Sequence, residues 1–112
     1  MTMAMDKTQR ITNLLSMAQR AGRIVSGAFA TEKAVKEHKA CLLLVAADAS
    51  EETKRNYQIL ADRYAIPYQE VLTREELGGC LGKAYRAVAA LLDEGFAKKL
   101  GTLVADGGIM KQ

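Results

Sequence analysis

The run from Cys41 to Ala47 is apolar at every position, and this feature constrains the fold of the chain most strongly. Because polar and apolar residues do not alternate in it, both faces of the run must be covered. Its length and its leucine and valine content are typical of a doubly buried strand, although a short buried helix gives a similar pattern. Asp48 and Ala49 then lead to Ser50 and two glutamates, a composition typical of a helix start. We therefore predict a central strand followed directly by a capped helix.

Three further segments have the composition of strands. Residues 87–92 are entirely apolar, so they are predicted to lie inside the same sheet as the central strand. Residues 24–26 form a very short strand that ends at Gly27, and residues 68–72 form another that Pro67 opens. The sheet is therefore predicted to have four strands.

Five helices are predicted between and around these strands. Helical spacing of apolar residues or a capping signal marks residues 7–21, 28–38 and 51–64, a short helix after Thr73, and a last helix that starts at Asp93. Thr73 and Glu76 have the spacing of a capping box, and Gly107 with Gly108 is predicted to end the last helix. This alternation predicts an α/β fold, a three-layer α/β/α sandwich with a four-stranded mixed or parallel sheet, in one domain over residues 1–112.

Composition argues against a membrane protein and against a metal site. No apolar run approaches the roughly 20 residues that a membrane-spanning helix needs. Asp6 and Lys7 follow the first five residues where a signal peptide would have its apolar segment. Cys41 and Cys80 lie in apolar contexts without metal-ligand spacing, which indicates buried, reduced thiols. We predict a cytoplasmic protein without a cofactor.

Charge is distributed unevenly along the chain, although the net charge is only +3. Residues 7–39 contain seven basic and two acidic side chains, whereas residues 48–76 contain four basic and seven acidic ones. One side of the molecule is therefore expected to be positive, which favours an anionic partner there. A solvated surface with uneven charge explains the same distribution equally well.

Signals for catalysis are absent from the sequence. His38 is the single histidine, and neither a Gly-x-Ser-x-Gly motif nor a cluster of carboxylates on one element is present. The glycine-rich residues 78–83 lack the spacing of a phosphate-binding loop, and Ala84 follows where a serine or threonine would hold magnesium. These observations indicate a protein that is not an enzyme.

The junction between the first strand and the second helix is a candidate binding site. A strand that ends at Gly27 and passes into a helix leaves free backbone N–H groups at the positive helix end, where a phosphate or a base edge fits. Lys33 lies about two turns into this helix and Lys36 one turn further. The alternative is an ordinary strand-to-helix turn with a solvated helix face, and the residues alone favour that alternative.

A family resemblance favours the binding site over the ordinary turn. The pattern comprises Gly27, Lys33-Ala34-Val35, residues 40–48, Ile66-Pro67-Tyr68, Leu77-Gly78 and Gly82. It resembles the L7Ae ribosomal protein family, the kink-turn RNA-binding proteins of archaeal and eukaryotic ribosomes, which also has small stand-alone bacterial members. The resemblance covers residues 10–100, and residues 20–27 and 93–100 are similar to the bacterial branch in particular.

The resemblance implies one contact region on the second helix. In the family, this helix carries an Asn and a Glu that read the sheared G·A pairs of the kink-turn, and a Lys that supports them. Gly27 and Lys33 match this pattern, whereas Phe29 and Ala30 stand where the Asn and the Glu are expected. The two most specific polar base contacts of the family are therefore missing.

The second contact region of the family is the loop before the last strand. Residues 82–86 occupy that place with Lys83, Tyr85 and Arg86, and the loop is one residue shorter than in the family. Phe29 and Tyr85 suit stacking on unpaired bases. Phe29 equally suits a packing role.

The resemblance implies a non-enzymatic RNA-binding protein that recognises a kink-turn-like or bulged RNA, ribosomal or otherwise structured, with ribosomal proteins as further partners. The RNA-binding residues that we predict are Gly27, Ala28, Phe29, Lys33, Lys36, Arg20, Arg23, Lys83, Tyr85 and Arg86. Two other functions stay open: a protein-interaction adaptor with the same fold, and a recruitment module for an RNA-modifying enzyme.

Overall fold

Helices and strands alternate along the chain in the computed structural model, which describes residues 6–109 and the side chains of residues 6–105. The elements are α1 (Lys7–Arg20), β1 (Ile24–Ser26), α2 (Ala28–Lys36), β2 (Leu42–Val45), α3 (Glu51–Arg63), β3 (Tyr68–Glu70), α4 (Arg74–Cys80), β4 (Val88–Leu91) and α5 (Glu94–Ile109). The predicted order of helices and strands is confirmed.

The four strands form one mixed sheet in the order β1-β4-β2-β3. β4 runs antiparallel to both β1 and β2, whereas β2 and β3 are parallel. Leu43 pairs with Ala90 of β4 on one side and with Tyr68 of β3 on the other. β2 therefore lies inside the sheet, as the apolar run predicted.

Helices cover both faces of this sheet. Every residue of β2 and β4 is buried, which requires a packed layer on each side. α2 contacts β1 and β4, and α3 contacts β2 and β3. The Tyr57 hydroxyl of α3 donates a hydrogen bond of 2.6 Å to the Glu32 carboxylate of α2, which joins the two helices. α1 contacts α4 and α5, and α5 contacts β4. The three-layer sandwich is thus confirmed.

The predicted helix starts carry the expected side-chain caps. The Ser50 hydroxyl accepts a hydrogen bond of 3.0 Å from the Thr53 N–H at the start of α3. Thr73 and Glu76 form both bonds of the capping box that opens α4. Asp93 Oδ2 accepts a hydrogen bond of 3.0 Å from the Phe96 N–H at the start of α5.

Two helix ends differ from the prediction by more than one residue. α2 ends at Lys36 rather than at His38, because His38 has a left-handed backbone with φ of 62°. α5 continues through the two glycines at 107 and 108 to Ile109, so the prediction that they end it is wrong. A glycine costs about 1 kcal/mol in a helix but retains its N–H donor, so it does not force a helix to end. The predicted tail beyond Ile109 lies outside the described residues.

Both cysteines are half-buried and free rather than fully buried. Burial raises the pKa of the Cys80 thiol to about 11, and its Sγ donates a hydrogen bond of 3.3 Å to the Leu77 carbonyl. A thiol with this pKa is protonated at neutral pH and is a poor nucleophile. Within residues 6–109, no helix has the length and apolar character needed to cross a membrane.

Candidate functional site

Gly27 shapes the junction between β1 and α2. Its backbone angles, φ 89° and ψ 157°, lie in a region that is essentially restricted to glycine. The Gly27 N–H donates to the Val88 carbonyl at 3.0 Å, and the Gly27 carbonyl accepts from the Thr31 N–H at 3.0 Å. Among the described residues, no side chain caps α2, so the N–H groups of its first turn are left for another acceptor.

Residues 82–86 form a loop that is held against α4. The Lys83 N–H donates to the Gly78 carbonyl at 2.8 Å, and the Arg86 N–H donates to the Arg74 carbonyl at 3.1 Å. A β-carbon added to Gly78 would lie only 2.7 Å from the Tyr85 Cα. The close approach of the loop to α4 therefore requires a glycine at this position of the helix.

The Arg86 side chain joins this loop to the start of α2. Arg86 Nε donates a hydrogen bond of 2.9 Å to Ser26 Oγ, across 60 positions of sequence. Arg86 Nη1 donates to the Tyr85 carbonyl at 3.0 Å. A β-carbon added to Gly27 would lie 3.7 Å from Arg86 Nε, so the guanidinium lies beside the first residue of the junction. One surface therefore combines a helix N-terminus with a cation.

Two aromatic side chains project from the two segments that Arg86 joins. Phe29 is 81% exposed on the first turn of α2, and Tyr85 is 62% exposed in the loop. The alternative that Phe29 is a packing residue is thereby excluded. Large aromatic rings that face water in this way provide flat apolar surfaces on which unpaired bases stack.

Lys33 and Lys36 extend the surface along α2. Phe29, Lys33 and Lys36 are spaced at i, i+4 and i+7, and all three are exposed, so they form one stripe on the helix. Lys33 Nζ lies 3.4 Å from one Glu37 carboxylate oxygen, and Lys39 Nζ lies 3.4 Å from the other. These two cations lower the pKa of Glu37, which therefore stays anionic and offsets part of their charge.

Arg20 and Arg23 are not brought to the Gly27 junction. The Leu92 N–H donates to the Arg23 carbonyl at 2.8 Å, so Arg23 lies beside the C-terminal end of β4. Gly27 lies beside Val88, at the start of the same strand. The four-residue step from Val88 to Leu92 corresponds to about 13 Å of extended chain. The two arginines therefore occupy the opposite end of the sheet.

Three residues that support the site were not identified from the sequence. Ser26 receives the Arg86 hydrogen bond, and Gly78 makes room for the loop. Asp48 Oδ1 accepts a hydrogen bond of 2.8 Å from the Arg74 N–H, which positions the residue that binds the Arg86 backbone. The contacts of Ser26 and Asp48 join segments 60 and 26 positions apart, so no local pattern marks them. Gly78 lies only a few positions before the loop, but its close approach to Tyr85 depends on how the loop folds back on α4. Within the described part of the chain, no group of three or more His, Cys, Asp or Glu side chains could hold a metal ion.

Comparisons with known proteins agree with these observations. The sequence model of the ribosomal protein L7Ae/L30e/S12e/Gadd45 family matches residues 9–101. An RNA-binding protein YlxQ from Bacillus subtilis is 38% identical over 91 residues, which are 81% of this chain and 91% of that protein. The RNA-binding protein YlxQ of Enterococcus faecium is 35% identical over 96 residues, which are 86% of this chain and 92% of that protein.

Solved structures share the fold as well. A protein of unknown function from Bacillus halodurans has a TM-score of 0.81 at 32% sequence identity, covering 86% of this chain and 97% of that chain. The 15.5kD RNA binding protein of Giardia lamblia has a TM-score of 0.68 at 23% identity, covering 98% of this chain and 93% of that chain. At 23% identity, the likeness to the Giardia lamblia protein concerns the fold alone.

Proposed function

The chain belongs to the ribosomal protein L7Ae/L30e/S12e/Gadd45 family, and we propose that it is a non-enzymatic, cytoplasmic RNA-binding protein whose residues 1–112 form one domain. The observation that carries this proposal is the Arg86 contact with Ser26, which joins the start of α2 to residues 82–86. Two bacterial relatives over 30% identical are named RNA-binding proteins, which supports the same function.

The chemistry of this surface suits structured RNA with unpaired bases. The free N–H groups at the start of α2 are donors for a phosphate or a base edge. Lys83 is exposed, and Arg86 lies beside Gly27, so both supply positive charge for the backbone. Phe29 and Tyr85 provide stacking surfaces for bases that leave a duplex. A kink-turn or a bulged duplex of ribosomal or other structured RNA offers both phosphates and unpaired bases. If the RNA is ribosomal, ribosomal proteins would be neighbours of this chain.

Restoring the polar pair of the family tests how this surface reads RNA. Phe29 and Ala30 cannot form the side-chain hydrogen bonds that Asn and Glu give to G·A pairs. A good base-edge contact is worth roughly 1–3 kcal/mol in the better-studied DNA case. We therefore expect Phe29→Asn with Ala30→Glu to improve discrimination between a kink-turn and its G·A-disrupted form by about tenfold or more. Gel shifts with both RNAs, at one salt concentration, measure this ratio.

The unaltered protein is the reference in this experiment, and it should bind both RNAs with similar affinity. Discrimination by more than about a hundredfold in the unaltered protein corresponds to roughly 2.7 kcal/mol. That result would mean that backbone amides or residues 82–86 read the G·A pairs, and that the missing side chains matter little. Binding of neither RNA would contradict the proposed function.

A groove between α1 and α5, on the face of the sheet opposite α2, favours a second candidate function, that of a protein-interaction adaptor. α1 and α5 enclose a groove of about 560 Å³ whose apolar lining includes Leu14, Met17, Phe96 and Leu103. α2 packs on the opposite face of the sheet, so a protein in this groove would not cover the Gly27 junction. The gel shift separates the two functions, because an adaptor alone would not retain RNA.

A further inference from the structure

α2 spans the whole length of β4, from the candidate site to the opposite end of the sheet. The residue before the helix, Gly27, bonds through its N–H to Val88 at the start of β4. After the helix, the Cys41 N–H bonds to the Leu91 carbonyl at 2.7 Å, at the end of β4. The nine residues of α2 cover about 13 Å along the helix axis. The solvent face of α2 is thus a path between the two ends.

This path is lined by basic side chains. Lys33 and Lys36 follow Phe29 on the exposed stripe of α2. At the far end of β4, Arg23 lies beside Leu92. Arg20, three positions before Arg23, is the last residue of α1. Arg20, Arg23, Lys36 and Lys39 are all exposed. Exposed cations are therefore present on α2 and at the end of the sheet where the strands β1 and β2 begin.

The acidic groups near this path neutralise only part of its charge. Glu37 is held between Lys33 and Lys39. Glu32 accepts the hydrogen bond from the Tyr57 hydroxyl and so points toward α3. At the far end, burial raises the pKa of Cys41, and the charges of Glu94 and Asp93 raise it further. Asp93 Oδ2 also caps α5. The path thus has more cations than exposed carboxylates. The carboxylates are Glu37 and Glu94, and the cations are Lys33, Lys36, Lys39, Arg20 and Arg23.

We propose that this basic path binds a single-stranded arm of the RNA that leaves the candidate site and runs along α2 toward Arg20 and Arg23. The inference rests on the proposed function, because the arm must start from RNA held at the Gly27 junction. At about 3.4 Å per stacked nucleotide, the length of α2 accommodates about four nucleotides. A base stacked on Phe29 would mark the beginning of this arm, and the lysines and arginines would contact its phosphates.

The test compares one kink-turn hairpin RNA with versions that carry four unpaired uridines at the 5′ or the 3′ end. We expect one of the two arms to tighten binding about tenfold, as two or more exposed ionic contacts would. The slope of log affinity against log salt should become steeper by about 1.4, which corresponds to two single-strand phosphates. Fluorescence anisotropy titrations over a series of salt concentrations measure both quantities.

Two double variants that lose the same positive charge distinguish binding of the arm along the path from a general effect of net charge. Arg20→Ala with Arg23→Ala should abolish the gain from the arm and retain binding of the hairpin. Lys98→Ala with Lys99→Ala, two exposed lysines of α5 on the other face, should keep the gain. A gain that persists in the arginine variant, or no gain from either arm in the unaltered protein, overturns the inference. Failure to bind even the armless hairpin overturns the proposed function, and this inference with it.

Discussion

Replacing Phe29 and Tyr85 together by alanine is expected to weaken RNA binding by about a hundredfold and to leave the fold intact. Stacking of a base on an aromatic side chain is worth about 1–3 kcal/mol, so two such contacts near the lower bound give about this factor. Both side chains are mostly exposed, at 81% and 62%, and therefore contribute little to the core. The free energy of unfolding should change by no more than about 0.5 kcal/mol.

Gel shifts with a kink-turn hairpin and urea unfolding of the same preparations measure the two effects. Met17 and Ile59 supply a matched control, because they are also large exposed apolar residues but lie on α1 and α3. Met17→Ala with Ile59→Ala should bind the RNA as the unaltered protein does. Equal affinity of the aromatic double variant and this control would show that the rings do not contact the RNA.

Gly78→Ala is expected to destabilise the protein by about 1–3 kcal/mol, the usual cost of overpacking. The added β-carbon would lie 2.7 Å from the Tyr85 Cα and 2.8 Å from the Tyr85 nitrogen. Backbone atoms cannot swing aside as the end of a side chain does, so residues 82–86 must move away from α4. RNA affinity should fall with this displacement, because Tyr85 and Arg86 would leave the start of α2.

The adjacent glycine of the same helix provides the control for this substitution. A β-carbon added to Gly79 meets nothing within 4 Å. Alanine there should stabilise the protein by about 0.5–1 kcal/mol, because alanine loses less backbone entropy on folding than glycine does. Urea unfolding of both variants gives the comparison. If Gly78→Ala were as stable as Gly79→Ala and bound RNA normally, the loop would not depend on its contact with α4.

The main features of the fold could be predicted because they depend on burial and on local capping. A strand that is buried on both faces must be apolar at every position, so β2 and β4 were recognisable from composition alone. Ser50 and the capping box at Thr73 mark helix starts through side chains within three residues of their partners. The direction of β4 could not be predicted, because an apolar run looks the same in a parallel and an antiparallel pair.

The candidate site was only partly predictable because its assembly depends on contacts distant in sequence. Gly27 and residues 82–86 were identified from the family resemblance, but the hydrogen bond from Arg86 to Ser26 exists only because β1 pairs with β4. The same pairing carries Arg23 away from Gly27, since an extended strand lies between them. The charge count over residues 7–39 grouped Arg23 with Lys33 and Lys36. In the structure, the full length of β1 separates Arg23 from Gly27.

The central claim is that one surface, made of the start of α2 and residues 82–86, binds structured RNA. Titration of the isotopically labelled protein with an unlabelled kink-turn hairpin, followed by amide chemical shifts, tests it most directly. We expect the largest shift changes at residues 27–30 and 83–86, with smaller changes at Lys33 and little change on the exposed face of α5. Changes centred on α1 and α5 instead, or no changes at RNA concentrations that saturate related binding proteins, would contradict the claim.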